Sequence, residues 1–444
     1  MLKQKFIKYF VLFTLTALIL TSFNAKAAIK TTRLAGPWTT ASNWEGGVLP
    51  ASTDDVVIKH FMTLGSDATC ASLSIQNGGR LTISAGTRTT VTGALALGGS
   101  GIEMLTTSSE ASSLIFNSIS GLGNLYFGRY VSGTSGGTKN WHIVSSPVTT
   151  LSIPGFLSNA YGIVETNNDE SLYAFASYNE SINKWNYYST TDGGTWSGLF
   201  NPGQGYTIAM VSSGQITING RPATGDVSVN IARTFISGAQ PPTGGWGWNA
   251  IGNPYTASLS TSQFYISNRS MLDPVYGGLY IWNPSSQSYD IITQSTAGYI
   301  QMGQGFVVRS KEGGGSIGFT YGMRAHSPST PYKSGNLSDP PADPPSAEFT
   351  STVKLHAVSG DIRRNTTFVF SPRMTTGLDP YFDAGLLPSG GGMDIYSKLL
   401  NGPNDNFGLQ ALPSEGFTKL SIPVYVNLDK TGLVEFSAEL MNIP

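Results

Sequence analysis

Charge is scarce in this chain. Asp, Glu, Lys and Arg make up 12% of its 444 residues, about half of the roughly 25% usual for soluble domains. The formal net charge is −1, so no basic stripe is available for phosphates, and nucleic acid is not an expected partner. Cysteine occurs once, at Cys70, and histidine four times, at His60, His142, His326 and His356. A single thiol forms no internal disulfide, and imidazoles without partners at ligand spacing make no zinc site. No cofactor and no metal centre is expected. After the first thirty residues no run of 18 apolar side chains occurs, so no transmembrane helix is expected in the mature chain.

Glycine, proline and aromatic residues are plentiful. There are 53 Gly and 24 Pro, aromatics account for 11%, and 40% of the chain is hydrophobic. This is the composition of short strands and many turns, with enough apolar surface for real cores. Lys3, Lys5 and Lys8 precede an apolar run from Tyr9 to Leu20, and Ala25-Lys26-Ala27 follows. That order of basic, apolar and small residues is a secretory signal peptide over 1–27, read by export machinery. Its apolar core of about a dozen residues falls short of the roughly 20 a spanning helix needs.

Residues 28–128 read as a β-helix-like stack of coils. Val56-Val57-Ile58, Leu73-Ser74-Ile75, Leu81-Thr82-Ile83 and Leu95-Ala96-Leu97 are short apolar-x-apolar pieces between turns such as Asn77-Gly78-Gly79. A coil buries its face only against the next coil, so the end of the stack needs a cap; Trp38, Trp44 and Pro50 are the candidates.

The middle of the chain is duplicated with a period of 107 residues. Trp141-His-Ile-Val-Ser-Ser-Pro147 is echoed by Trp248-Asn-Ala-Ile-Gly-Asn-Pro254. Leu172-Tyr173 and Leu279-Tyr280 follow at equal distance, and then Gly203-Gln204-Gly205-Tyr206 and Gly303-Gln304-Gly305-Phe306. Two homologous β modules are expected over 129–245 and 246–325. The Gly-Gln-Gly turns precede strand formers and not a helix, so they are tight connections and not a phosphate cradle. The repeated Trp and Pro read as structural. A proline-rich linker spans 326–346, and 347–444 reads as a further, incomplete β-sandwich. The expected fold class is all-β: an N-terminal β-helix-like coil stack followed by tandem β-sandwich-like modules.

Arg129-Tyr130, Trp141 to Pro147 and Gly247 to Tyr255 resemble large surface proteins of Bacteroidetes bacteria exported by the type IX route. Trp38 to Gly93 resembles the β-helical start of such proteins and, more distantly, the G8 type of extracellular module. Asp379-Pro-Tyr-Phe-Asp383 with Ile395-Tyr396 resembles their penultimate sandwich. The resemblance implies a secreted or cell-surface location. Members usually end in a sorting domain, which this sequence lacks, so the chain reads as a fragment.

Chemistry is harder to find. The G-x-S-x-G windows around Ser135 and Ser316 sit in turns between strands, where no nucleophile elbow forms. Asp54 with Asp55, Asp169 with Glu170, and Asp379 with Asp383 are paired carboxylates explained by turn solvation. Asn404-Asp405-Asn406 is a loop that could take calcium. No catalytic residue is assigned, and the protein is expected not to be an enzyme. The aromatics carry the one candidate ligand site: Trp185, Tyr187, Tyr188 and Trp196 in the first module and Trp282 and Tyr289 in the second, as a platform for neutral polysaccharide. The expected role is adhesion or envelope architecture through other surface components. Glycan binding is the alternative, and a β-helix carbohydrate-active enzyme the third reading.

Overall fold

The computed structural model describes residues 27–134, 139–159, 162–163, 165–166, 169–189, 198–234, 246–296, 298–327, 351–416 and 419–442. The expected signal peptide, up to residue 26, and most of the linker, 328–346, lie outside the described residues. The fold is all-β and opens with a β-solenoid of about four turns.

Eleven strands build the solenoid: β1 (Ile29–Thr31), β2 (Gly36–Pro37), β3 (Asp55–Ile58), β4 (Phe61–Leu64), β5 (Ala68–Cys70), β6 (Ser72–Ile75), β7 (Arg80–Ile83), β8 (Arg88–Leu97), β9 (Ile102–Met104), β10 (Ser113–Ser120) and β11 (Leu125–Val131). One parallel sheet runs β1-β3-β6-β8-β10, with β5 added on β8; the other runs β2-β4-β7-β9-β11. Registers stack like on like. Val56, Leu73 and Leu95 face inward on one sheet, and Met62, Leu81, Ile102 and Leu125 on the other, all buried. Each such side chain removed from water contributes about 1.5–3 kcal/mol. At the open end Trp44 is fully buried, its Nε1 donates to the Trp38 carbonyl at 2.8 Å, and the two rings meet edge to face at 4.9 Å. The tryptophans form the cap, while Pro50 stays partly exposed.

The first repeat then supplies β12 (His142–Val144), α1 (Ile153–Asn159), β13 (Glu165–Thr166), β14 (Asp169–Asn179), β15 (Lys184–Ser189), β16 (Tyr206–Ile208) and β17 (Gly214–Gly220). The second supplies β18 (Val227–Ile231), β19 (Trp248–Gly252), β20 (Ser258–Ser260), α2 (Thr261–Asn268), β21 (Leu279–Asn283), β22 (Ser288–Ile292), β23 (Tyr299–Ile300), β24 (Gly305–Arg309), β25 (Gly315–Phe319) and β26 (Arg324–Ala325). Strand order β12-β16-β14-β15 in one copy is matched by β19-β24-β21-β22 in the other, and the antiparallel pair β11–β17 by β18–β25. Each unit therefore begins one strand ahead of its Trp motif. The expected boundary at 128 falls inside β11, which belongs to solenoid and repeat alike, and that at 245 falls inside the second unit.

Ladder partners also correct one landmark. Ala176 pairs with Thr207 and Tyr280 with Val307, so Phe175-Ala176 is the counterpart of Leu279-Tyr280. The equal spacing of Leu172-Tyr173 is a coincidence, because β14 shifts register between Leu172 and Ala176.

The two repeats clasp each other reciprocally. Val144 bridges Gln304 and Gln204 bridges Ile251; Ser145 donates to the Gly303 carbonyl at 3.0 Å, and Gly252 to that of Gly203 at 2.9 Å. The Gly-Gln-Gly turns are thus the fasteners between repeats. Gly203 and Gly303 adopt φ of 83° and 67°. Gly205 and Gly305 are needed for close approach: a Cβ on Gly305 would lie 2.4 Å from Ile143 Cγ2.

The C-terminal module contains β27 (Ser351–Ser359), β28 (Ile362–Ser371), β29 (Ala384–Gly385), β30 (Met393–Ser397), β31 (Phe407–Pro413), β32 (Val424–Leu428) and β33 (Glu435–Met441). They form one hydrogen-bonded sheet in the order β32-β30-β31-β28-β27-β33, with β29 on β31. It curls, so that Met393 and Ile395 of β30 pack with Ala357 of β27 in sandwich-like fashion. The sheet docks on the second repeat through Val369, Ala384 and Leu409 against Ile291, and the Tyr280 hydroxyl donates to the Gly385 carbonyl at 2.7 Å.

Candidate functional site

β15 alternates like any strand, so Trp185 and Tyr187 point to one side and Tyr188 to the other. On the first side, Trp185, Tyr187, Trp141, Ile143 and Thr207 from the first repeat meet Trp282 and Tyr289 from the second around a half-open cleft of about 170 Å³. Trp141 and Tyr187 stand 5.9 Å apart between ring centroids. Two cross-strand pairs repeat the same geometry: Tyr178 with Trp185 at 5.1 Å and Trp282 with Tyr289 at 5.0 Å, both inclined at 72°. Ile143, Tyr280 and Val307 form the buried floor where the repeats meet, with Trp185, Trp282 and Tyr289 packed on it.

Among the described residues that line the cleft, none carries a charge. Burial pushes the Tyr289 phenol up to about 12 and raises that of Tyr187, so both stay neutral hydroxyls at pH 7. Among the described residues the buried Trp282 indole N–H has no hydrogen-bond partner. The cleft is therefore an aromatic-walled slot whose described lining is uncharged and includes the Thr207 and Tyr187 hydroxyl groups. It suits an uncharged ring with an apolar face and polar edges.

A family described as a domain of unknown function (DUF8693) matches residues 31–296, more than half of the chain. The chain belongs to this family. The DUF8693 match runs from the first solenoid strand into the second repeat and contains every residue lining the aromatic cleft. No curated protein and no solved structure matches the chain.

Four of the six aromatics expected at the site of this DUF8693 member converge: Trp185, Tyr187, Trp282 and Tyr289. Tyr188 does not. It lies on the opposite face of β15, where its ring stacks on Phe175 at 5.5 Å in the first repeat's core. Trp196 lies outside the described residues. Trp141 was expected to be a buried structural residue, yet it is half-buried and lines the cleft. Its position just ahead of β12 and the contact of its ring with Tyr187 of β15 are visible only in three dimensions.

The other sequence candidates are occupied structurally. Asp54 accepts the Ala28 and Ala51 amides at 3.0 and 2.9 Å, and Asp55 accepts the Ser72 hydroxyl. Asp383 is fully buried, accepts the amides of Asp379 and Ala411, and is pushed up to about 7 by burial. The side chains of Asp169 and Glu170, and Ser135, lie outside the described residues. Ser316 is a strand residue of β25 whose hydroxyl meets that of Ser228 at 2.7 Å. Lys398 places its ammonium 2.6 Å from Asn404 Oδ1 and 3.3 Å from the Asn404 carbonyl, occupying oxygens that a calcium ion would require. Cys70 is buried, and desolvation pushes its thiol up to about 12, which removes its reactivity. His326 spans Thr90 and Ser113 at 2.9 and 2.8 Å, tying the start of the linker to the solenoid.

Proposed function

We propose that this protein is an exported, non-enzymatic surface protein that holds a neutral glycan in the aromatic cleft between its two repeats. The observation that carries this reading is the convergence of Trp141, Trp185, Tyr187, Trp282 and Tyr289 on one uncharged, solvent-open slot. A pyranose presents C–H groups on its faces, which match the indole and phenol faces, and hydroxyls around its edge, for which Thr207 and Tyr187 stand in the lining. Binding without reaction is supported by the lining of this cleft, which among the described residues contains no carboxylate. The surface location is supported by the resemblance of the Trp141–Pro147 and Gly247–Tyr255 segments to type IX-exported Bacteroidetes proteins, and it makes adhesion to a glycan coat the natural setting.

The test is a pull-down of residues 28–444 on cellulose, chitin, xylan, mannan and starch, with reducing-sugar release followed in parallel. Tyr187→Ala and Trp141→Ala are the informative variants, because Tyr187 is 36% exposed and Trp141 only half-buried. Trp282, packed into the contact between repeats, would confound binding with stability. Saturable retention on one polymer, lost at least tenfold in both variants at unchanged melting temperature, is expected. Retention unaffected by either substitution refutes the cleft, and sugar release refutes the absence of catalysis.

A further inference from the structure

A second and larger cleft, about 700 Å³, opens between the second repeat and the C-terminal sheet. Trp246, Trp248 and Tyr276 form one wall, and the segment Leu386 to Pro388 with the Asn404–Asn406 loop forms the other. Trp248 is the counterpart of Trp141, so the duplication has put an indole at the edge of both clefts. The surroundings differ. The Arg309 guanidinium lies 4.3 Å from the Tyr276 ring centroid, and its Nε donates to the Trp246 carbonyl at 2.9 Å. Asp273 stands 3.8 Å from Arg309 and is shared with Arg233 at 2.8 Å. On the far side of Tyr276, Asp405 accepts the phenol hydroxyl at 3.2 Å.

The described lining carries one guanidinium, Arg309, and one carboxylate, Asp405, so it offers no excess of either sign with which to select a free anion or cation. What it offers is a fixed cationic donor and a fixed anionic acceptor, both held against one tyrosine, beside Trp246, which is 41% exposed. Adjacent hydroxyls of a sugar each donate and accept, and lie at the edge of a ring whose C–H face can stack on an indole. We infer that this cleft is a second saccharide subsite, with Trp246 as its stacking surface and Arg309 and Asp405 as the groups that read neighbouring hydroxyls. The inference rests on the glycan reading above and adds to it: with two subsites one polymer chain engages the protein twice, which raises apparent affinity by about 10²–10⁴ when the spacing fits.

The test is calorimetric titration of the full chain with cellotriose, xylotriose, mannotriose and chitotriose, which are short enough to occupy one subsite. Two sites per chain are expected for at least one sugar. Tyr187→Ala and Trp246→Ala should each leave one site, and the double variant none. Asp405→Ala repeats the Trp246 test without removing an aromatic ring. Wild-type stoichiometry of one, lost in Tyr187→Ala and unchanged in Trp246→Ala and Asp405→Ala, overturns the second subsite and leaves the first standing. Absence of binding by the wild type to all four sugars overturns both.

Discussion

His142 is buried in the first repeat, where the Ser132 amide donates to its Nε2 at 3.2 Å and the Ser132 hydroxyl lies 2.8 Å away. Burial first, and then the charge of Arg129, hold its pKa down to about 3. An unfolded histidine titrates near 6.5. The folded state therefore stays neutral while the unfolded state takes up a proton, and the stability that this residue supplies is complete above about pH 6.5 and drains away as pH falls toward 3. At pH 5 the loss is about 2 kcal/mol, from roughly 1.5 pK units at 1.36 kcal/mol each. The fold itself provides the control. In the second repeat the same position is Asn249, whose Oδ1 accepts the Ala232 amide at 3.0 Å and whose Nδ2 donates to the Ala232 carbonyl at 2.9 Å. His142→Asn installs that arrangement and removes the titration. Urea unfolding followed by tryptophan fluorescence at pH 7 and pH 5 measures it: the wild type should lose about 2 kcal/mol more than the variant over that interval. Equal losses in the two proteins would refute the reasoning, because His326 and His356 are common to both.

Leu81→Ala, in the middle of a solenoid ladder between Met62 and Ile102, should cost about 2–5 kcal/mol and lower the melting temperature, since the rungs above and below cannot close the gap. Gly305→Ala should destabilise by about 1–3 kcal/mol by forcing a methyl group against Ile143 and the Val144 carbonyl, whereas Gly214→Ala, which meets nothing within 4 Å, should leave the melting temperature within a degree or two.

Much of this architecture is legible in the sequence because its physics is local. Alternation within Leu73-Ser74-Ile75 and Leu81-Thr82-Ile83 is imposed by the pleat, and its recurrence by stacking, so the solenoid can be read residue by residue. The duplication is legible because Trp141 and Trp248 stand at the entry to equivalent strands. What escaped is set by pairing between distant segments. Nothing near Leu125 announces that this strand closes the solenoid and opens the first repeat, and nothing near Leu172 announces the shifted register that spoils its match to Leu279. Tyr188 is different: its position next to Tyr187 on a strand already dictates the opposite face, so its place in the core follows from period two alone. Trp141 became a cleft residue only through β15 and the second repeat lying beside it.

Strand β11 is parallel to β9 along one edge and antiparallel to β17 along the other. A joint of that kind has no linker to stretch. Tension applied between the solenoid and the repeats must shear seven residues of ladder on the β17 side at once, not unzip them singly, because the strand lies along the seam it closes. The joint is accordingly a stiff element in series with its neighbours, and under load extension should appear elsewhere in the molecule before this seam opens.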